Sequence, residues 1–256
     1  LRLVSPSADW RKCPPARAFG DLYANNPLVA LRTARHAGCL MAEDLIDIGI
    51  TADCLPVLDV PQQGAHDVIG NRAYSLHIEQ VMALARAHTA GLMEGGVLPV
   101  MKHIPGHGRA EVDSHHALPV VNARRQDLEQ VDFPPFAAFA DAPMAMTAHV
   151  IYTAIDRTAP ATLSRKLIKS VIRGQIGFRG LLLTDELARG YDPHFKVNPP
   201  LRTTEDVLAL REGLADGTID AVATDHAPHP SEDKECEWSA AAFGMLGLET
   251  ALSVVI

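Results

Sequence analysis

The segment KHIPGHGRAEVDSHHALPVV, from Lys102 to Val121, carries many of the reactive side chains of this chain. An apolar run ends in Lys102 and His103, and a loop rich in glycine follows. Within that loop, Asp113 and His115 stand two residues apart. This spacing suits a dyad in which a carboxylate orients an imidazole and raises its basicity. We expect the loop to bring His115 over a bound substrate, where the ring can transfer a proton.

The same loop allows two other interpretations. A loop rich in histidine can be a solvated surface segment that carries no chemistry. A metal site is also conceivable, because four histidines are close in sequence: His103, His107, His115 and His116. Their spacing matches no common zinc pattern. The dyad is therefore the favoured interpretation, and we expect no metal or other cofactor.

Other polar residues directly follow apolar runs elsewhere in the chain. Asp185 follows GLLLT, and the further positions of this kind are Asp59, His149, Asp225 and His226. The carboxyl ends of parallel strands meet at one end of a (β/α) barrel, and catalytic residues lie there. An open, doubly wound sheet would give the same pattern, but the sequence has no glycine fingerprint for a dinucleotide or a P-loop.

Helical patterns alternate with short apolar runs, which predicts parallel βα units. Helices are predicted in residues 25–50, where Asn26 caps the start and Pro27 lies in the first turn, and in 75–96, 132–142, 162–177 and 203–217. Strands are predicted within 53–60, 97–103, 143–150, 180–184 and 219–226. The strands are apolar throughout, as expected when both faces of a sheet are buried.

Composition narrows the class of protein. A chain of 256 residues with 47% hydrophobic and 21% charged residues can form one large globular domain. The formal net charge of -8 argues against a nucleic-acid partner. No apolar run approaches the roughly 20 residues that span a bilayer, so no membrane partner is expected. Four scattered cysteines predict reduced thiols and a cytoplasmic location. The chain opens on Leu1, which suggests a fragment of a longer protein.

The loop segment, with PVLDV, IGNRAYS, MAMTAHVIY and IGFRGLLLTDEL in this order, resembles the family 3 glycoside hydrolases. The resemblance is to the bacterial β-N-acetylhexosaminidases of peptidoglycan recycling and covers residues 10–187. It implies a (β/α)8 barrel and a small sugar substrate. It also implies a retaining, two-step cleavage of terminal N-acetylglucosamine through a covalent glycosyl-enzyme.

The resemblance implies roles for individual residues. Asp185 matches the family nucleophile, and His115 matches an unusual acid/base that Asp113 assists. The positions that match the sugar-binding groups are Arg72, Lys102 and His103. The family also has an acidic sugar-binding residue in a DQEGGR-type segment, and this chain begins downstream of it. We therefore expect an α/β fold that is a partial or rearranged (β/α)8 TIM-type barrel lacking the first strands, whose open edges favour self-association.

The last part of the chain resembles a different family. The segments LLLTDELARGYDPHFKVNPPLRT, GLADGTIDAVATDHAPHPSEDKECEW and AAFGMLGLETALSVV are similar to class I dihydroorotases of the amidohydrolase superfamily. Asp225 matches a metal ligand and proton carrier of that family, while Asn198 and His229 match positions near its substrate. The HxH pair that such a zinc site requires occurs nowhere in the sequence, so Asp225 is read as a relict metal position.

These two resemblances predict a chimera with residues 1–187 from the first family and residues 188–256 from the second, packed on the same sheet. Three hypotheses follow. The favoured one is a glycosidase, with Asp185 as nucleophile. The others are a zinc amidohydrolase of pyrimidine synthesis and an inactive barrel scaffold.

Overall fold

The computed structural model describes residues 11–65, 69–110, 118–184, 204–219 and 221–222. Two helices open this part of the chain, α1 (Ala16–Asn25) and α2 (Pro27–Asp47), and a third, α3 (Ile78–Glu94), packs against α2. The two backbones touch: a Cβ added to Gly91 would lie 2.0 Å from the carbonyl oxygen of Arg35. Glycine is therefore needed for this helix crossing.

The described strands are β1 (Ala52–Asp53), β2 (Leu98–Ile104), β3 (Val120–Val121), β4 (Met144–Thr147), β5 (Ile151–Tyr152), β6 (Leu181–Thr184) and β7 (Ala221–Val222). Five of them form one parallel sheet in the order β1-β2-β4-β6-β7, and β3 and β5 form a small parallel sheet of their own. The order of the large sheet never reverses along the chain, whereas a doubly wound sheet has a switch point. Winding in a single direction is typical of a barrel.

The remaining described helices join these strands. They are a 3-10 turn at Gly70–Arg72, α4 (Arg125–Asp127), a π-helix at Leu128–Asp132, α5 (Phe133–Ala137), α6 (Arg165–Leu167), a π-helix at Ile168–Gln175 and α7 (Thr204–Ala215). Among the helices described, none has both the length and the hydropathy that crossing a membrane requires.

Both faces of the large sheet are buried. On the face that packs against the helices lie Met101, Ala145 and Leu182, all with 0% exposure. Alternate residues point to the other face, where Val100, Met144, Met146 and Leu183 form a separate apolar cluster. Since Lys102 follows Val100 by two residues in β2, its side chain leaves the sheet on the side of this second cluster.

Most of the predicted elements are confirmed, including α2 with its cap: the Asn26 side chain accepts a hydrogen bond from the backbone N–H of Val29 at 3.2 Å. The prediction of a strand through 53–60 was wrong, because β1 ends at Asp53 and only Val57 makes a single bridge, to Lys102. Helix α1 and the β3–β5 sheet were not predicted. Much of the helix in 162–177 is π-helix. In the part of the chain that is described, Cys13, Cys39 and Cys54 form no disulfide bond.

Strand β7 lies in the segment that resembles dihydroorotases, yet it continues the sheet of the first segment. Its partner is β6, with Leu183 opposite Ala221 and Thr184 opposite Val222. Arg165, at the start of α6, also forms an ion pair with Asp216, just after α7. The described residues on both sides of residue 187 thus share one sheet.

Helix α6 begins with a cap that can be tested. The Ser164 hydroxyl accepts from the backbone N–H of Leu167 at 3.1 Å and donates to Asp156 at 2.6 Å. We expect Ser164→Ala to lower the free energy of unfolding by about 1–2 kcal/mol, because the cap is lost. Urea denaturation measures this change. Ser170→Ala is the matched control, since its exposed hydroxyl only bonds back to the Lys166 carbonyl and alanine favours helix. Equal effects of the two substitutions would contradict the capping role.

Candidate active site

The described part of the site is built around a carboxylate with no exposure, Asp59. Its Oδ2 lies 2.6 Å from Nδ1 of His103. Its Oδ1 accepts from the backbone N–H of His107 at 2.7 Å and from that of His103 at 3.3 Å. A buried carboxylate is costly unless its oxygens are hydrogen-bonded, and three donors meet that requirement here.

The backbone brings these groups together at the end of β2. Leu58 donates its N–H to the carbonyl of Lys102 at 2.7 Å, and Lys102 donates its own to the carbonyl of Pro56 at 2.9 Å. The short segment before Asp59 therefore runs beside the last residues of β2. This pairing places Asp59 next to His103, although the two residues are 44 positions apart.

The charges in this group follow from burial and hydrogen bonding. Burial acts to raise the pKa of Asp59, but its interactions with His103 and His107, including a hydrogen bond to each, outweigh burial and hold the pKa below its ordinary value. Burial also lowers the pKa of His103, and the Asp59 carboxylate only partly opposes this effect. Near neutral pH, therefore, Asp59 is ionised and His103 is a neutral imidazole.

The loop that follows β2 is fixed to the rest of the protein at several points. The Tyr152 hydroxyl donates to the carbonyl of Gly106, and Nε of Arg109 donates to Oδ2 of Asp132 at 2.7 Å. Gly108 lies against the preceding segment so closely that an added Cβ would stand 2.1 Å from the carbonyl oxygen of Val60. These three contacts therefore fix the base of the loop.

His107 is the second imidazole of the site. It is 5% exposed, its ring centroid is 5.5 Å from that of His103, and its Nδ1 has no hydrogen-bond partner among the described residues. Burial lowers the pKa of His107 to about 4, so this ring is neutral near pH 7. The hydrogen bond from the backbone N–H of His107 to Oδ1 of Asp59 connects this residue to the site.

The structure brings together the three residues that the sequence predicts to bind a sugar. Lys102 and His103 lie near the end of β2 and are partly exposed, and Arg72 ends the 3-10 turn and is exposed. The positive charges of Lys102 and Arg72 are both close enough to His103 to oppose its protonation. Asp113, His115 and Asp185 lie outside the described residues, as do Asn198, Asp225 and His229, so their roles stay predictions.

His149, at the end of β4, was interpreted as a packed polar residue. It is buried, and its Nδ1 lies 3.3 Å from the Thr162 hydroxyl. Within the part of the chain that is described, no group of three or more His, Cys, Asp or Glu side chains is arranged to hold a metal ion.

Sequence reasoning placed Asp59 at a strand end but did not find its partner. The signal was present in PVLDV, because a carboxylate inside an apolar run is expected to be buried and paired. It also missed the contacts that fix the loop, Arg109 with Asp132 and Tyr152 with Gly106. Those residues carry no motif of their own.

Comparison with known proteins identifies the family. The model described as "Glycosyl hydrolase family 3 N terminal domain" matches residues 8–201. The chain belongs to this family. The β-hexosaminidase of Chromobacterium violaceum is 40% identical over 180 residues, which are 70% of this chain and 50% of that protein. The β-hexosaminidase of Bordetella avium is 38% identical over 222 residues, 86% of this chain and 60% of that protein.

The family 3 chain thus spans about half to three fifths of the length of these curated relatives. Among solved structures, native NagZ from Neisseria gonorrhoeae superposes with a TM-score of 0.72 at 28% identity, covering 96% of this chain and 72% of that one. The α/β fold with parallel strands is confirmed by this likeness. Another structure of the same protein holds N-trifluoroacetyl-D-glucosamine and superposes with a TM-score of 0.71 at 27% identity, with the same two coverages.

The second resemblance is also confirmed. The dihydroorotase of Streptomyces coelicolor is 80% identical over 75 residues, which are 29% of this chain but 18% of that protein. A stretch this similar to one enzyme, in a chain that otherwise matches another, makes the sequence chimera-like.

The ion pair at the base of the loop gives a prediction about pH. Burial raises the pKa of Asp132 from 3.8 to about 6, although Arg109 opposes this effect. A raised pKa adds stability that is complete below about pH 4 and is lost as the pH rises through about 6. The free energy of unfolding of Asp132→Asn, relative to wild type, should therefore increase between these pH values and level off above them.

The difference in free energy of unfolding between Asp132→Asn and wild type should change by no more than about 1.4 kcal/mol per pH unit. Denaturant titrations of both proteins at several pH values measure it. Asp156→Asn is the control, because the hydrogen bond from Ser164 lowers the pKa of Asp156 and its difference from wild type should stay flat in this window. A flat difference for Asp132→Asn as well would show that Asp132 does not titrate there.

Proposed function

We propose that this family 3 chain is a β-N-acetylhexosaminidase-type glycoside hydrolase. Its substrates are cell-wall fragments that contain N-acetylglucosamine, and cleavage proceeds with retention through a covalent glycosyl-aspartate. The observation that carries the proposal is the cluster at the end of β2. There the buried Asp59 holds His103 beside Lys102, and the charge of Arg72 acts on the same ring.

This cluster suits a neutral, hydroxyl-rich ligand. The Lys102 ammonium and the Arg72 guanidinium donate hydrogen bonds, which sugar hydroxyl oxygens can accept. Their positive charge would also favour the ionised form of a nearby carboxylate. A retaining glycosidase needs such a carboxylate as its nucleophile.

We assign that role to Asp185. It directly follows Thr184, the last residue of β6, and β6 pairs in parallel with β4, which pairs in parallel with β2. Strands in this arrangement place their carboxyl ends on one side of the sheet. The parallel register therefore supports an Asp185 carboxylate on the same side as Lys102 and His103.

The acid/base is the dyad of His115 and Asp113. The loop that carries it starts at the fixed base around Gly108 and Arg109, next to Asp59. Most retaining glycosidases use two carboxylates about 5 Å apart, one of which must have a raised pKa. An imidazole titrates near neutral pH without that adjustment, so it can protonate a leaving oxygen and later activate water.

The proposal includes the architecture. The five strands of the large sheet would be part of a (β/α)8 barrel, with residues 1–187 and 188–256 as its two segments. The single winding direction and the β6–β7 pairing support this view. Any strand edge of this sheet that stays unpaired would favour self-association, which sedimentation velocity over a range of concentrations would reveal.

A zinc amidohydrolase is the second candidate, because of the 75-residue stretch that is 80% identical to a dihydroorotase. The sequence offers Asp225 for such a site but no HxH pair. One carboxylate with its neighbouring histidines does not complete a zinc site of this kind. Carbamoyl-aspartate is therefore the comparison substrate in the test of the main proposal.

We predict that the protein cleaves 4-nitrophenyl N-acetyl-β-D-glucosaminide and that the β-anomer of N-acetylglucosamine forms first. Proton NMR of the early product identifies the anomer. Asp185→Ala should abolish the reaction, because the covalent step needs its carboxylate. Glu186→Ala is the matched control and should keep most of the activity. If wild type hydrolyses no N-acetylglucosaminide, or cyclises carbamoyl-aspartate instead, the glycosidase proposal is wrong.

The role of His115 has its own test. His115→Ala should lower the rate roughly 10²–10⁴-fold for an aglycone that is a poor leaving group, since that oxygen needs a proton. The effect on the 4-nitrophenyl substrate should be much smaller. Comparing kcat/KM for aryl glycosides of increasing phenol pKa measures this dependence. A uniform loss across the series would rule out a proton-transfer role.

A further inference from the structure

We propose that Asp59 is a positioning residue that holds His103 in the tautomer protonated at Nδ1, so that Nε2 accepts a hydrogen bond from a substrate hydroxyl beside the donor Lys102. The substrate part of this inference rests on the proposed function. The tautomer part does not, because it follows from the contacts of Asp59 alone.

The contacts of Asp59 identify the donor in its hydrogen bond with the His103 ring. Oδ2 of Asp59 lies 2.6 Å from Nδ1 of His103, while Oδ1 is already occupied by the backbone N–H groups of His107 and His103. The two backbone N–H groups that donate to Oδ1 favour the ionised form of the carboxyl group. An anion has no proton to donate, so the proton between the two residues belongs to Nδ1.

The edge of the His103 ring opposite Asp59 carries Nε2. The His103 side chain is 18% exposed and that of Asp59 is 0% exposed. The Nδ1 edge faces the buried carboxylate, so the accessible edge is the one that carries Nε2. Burial opposes a second proton on this ring, and the positive charges of Lys102 and Arg72 act in the same direction, so the pKa of His103 is lowered although the Asp59 carboxylate attracts a proton. Nε2 therefore carries a lone pair towards the site.

Lys102 and His103 together present a pattern of hydrogen-bond donors and acceptors to a ligand. Lys102 presents only donors, and His103 beside it presents an acceptor. A hydroxyl satisfies both, because it accepts from one group and donates to the other. Fluorine in place of the hydroxyl cannot donate, and hydrogen can do neither. The end of β2 thus selects for a hydroxyl at one ring position of the sugar.

Asp59→Asn separates this role from simple packing. The asparagine oxygen can still accept from the backbone N–H of His107, but its NH2 group then faces Nδ1 of His103. Nδ1 must become the acceptor, and the proton moves to Nε2. The variant keeps the shape of the residue and inverts the polarity of the exposed edge. Asp156→Asn is the matched control, since it makes the same chemical change at a carboxylate whose contacts are Ser164 and Thr158.

The decisive measurement is the nitrogen-15 NMR spectrum of protein labelled at histidine, with the His103 signals identified by their loss in His103→Gln. In wild type at pH 7.5, we expect His103 to show a protonated Nδ1 and an unprotonated Nε2. Asp59→Asn should reverse the two, and Asp156→Asn should leave them unchanged. A protonated Nε2 in neutral wild-type His103 would overturn the inference, even if Asp59→Asn fails to fold and whether or not the protein is an enzyme.

Activity provides the second readout, with 4-nitrophenyl N-acetyl-β-glucosaminides in which one hydroxyl at C3, C4 or C6 is replaced by fluorine or hydrogen. At one of these positions, wild type should lose kcat/KM roughly tenfold for fluorine, about the worth of one neutral hydrogen bond, and more than that for hydrogen, which loses both contacts. In Asp59→Asn, the penalty for fluorine at that position should shrink towards unity. If Asp59→Asn instead loses kcat/KM equally for every analogue, and His103 keeps its wild-type tautomer, then Asp59 has only a structural role. No cleavage by wild type would count against the proposed function and leave the tautomer result standing.

Discussion

The buried carboxylate of Asp59 is the interaction on which the described part of the site depends. Its oxygens join the imidazole of His103, the end of β2 and the first residues of the following loop. Without Asp59, the conformation of the strand end and of the glycine-rich loop would be poorly fixed, since each has few contacts that constrain it. Burial makes the constraint strong, because a carboxylate that loses one of these donors away from water is costly.

The same carboxylate links structure to chemistry. Because Asp59 is ionised and His103 is neutral, the site presents a fixed acceptor next to the cationic donor Lys102. The loop that Asp59 and Gly108 anchor leads towards Asp113 and His115, and the parallel sheet orders the strand end that precedes Asp185. In the account proposed here, sugar binding, proton transfer and nucleophilic attack therefore share one framework.

The chain combines segments similar to two enzyme families, yet five of its described strands form one continuous parallel sheet across the boundary. Parallel βα units make this physically reasonable, because neighbouring strands of a parallel sheet pair through their backbones and are apolar on both buried faces. Continuity of the sheet says nothing of shared chemistry. The family 3 segment carries the clustered side chains at its strand end, whereas the dihydroorotase-like segment brings Asp225 without the HxH pair that a zinc site needs.

Local signals predicted much of the fold. Asn26 and Pro27 at the start of α2, Gly95 after α3 and the apolar run before Lys102 each act over a few residues, so the sequence was sufficient to find these elements. The contact between Asp59 and His103 spans 44 positions and depends on how two chain segments lie side by side. The same holds for Arg109 with Asp132. Side-chain types suggest that such groups need partners, but only the fold decides which partners they find.

The proposed covalent bond between Asp185 and the sugar can be detected directly. A 5-fluoro-N-acetylglucosaminyl fluoride loses fluoride as the new bond to the anomeric carbon forms, and the ring fluorine slows the water attack that would break it. Mass spectrometry of the trypsin-digested protein should find the sugar on the peptide GLLLTDELAR, with the modification at Asp185. A label on another residue, or rapid turnover without any labelled peptide in a rapid-quench sample, would contradict the account.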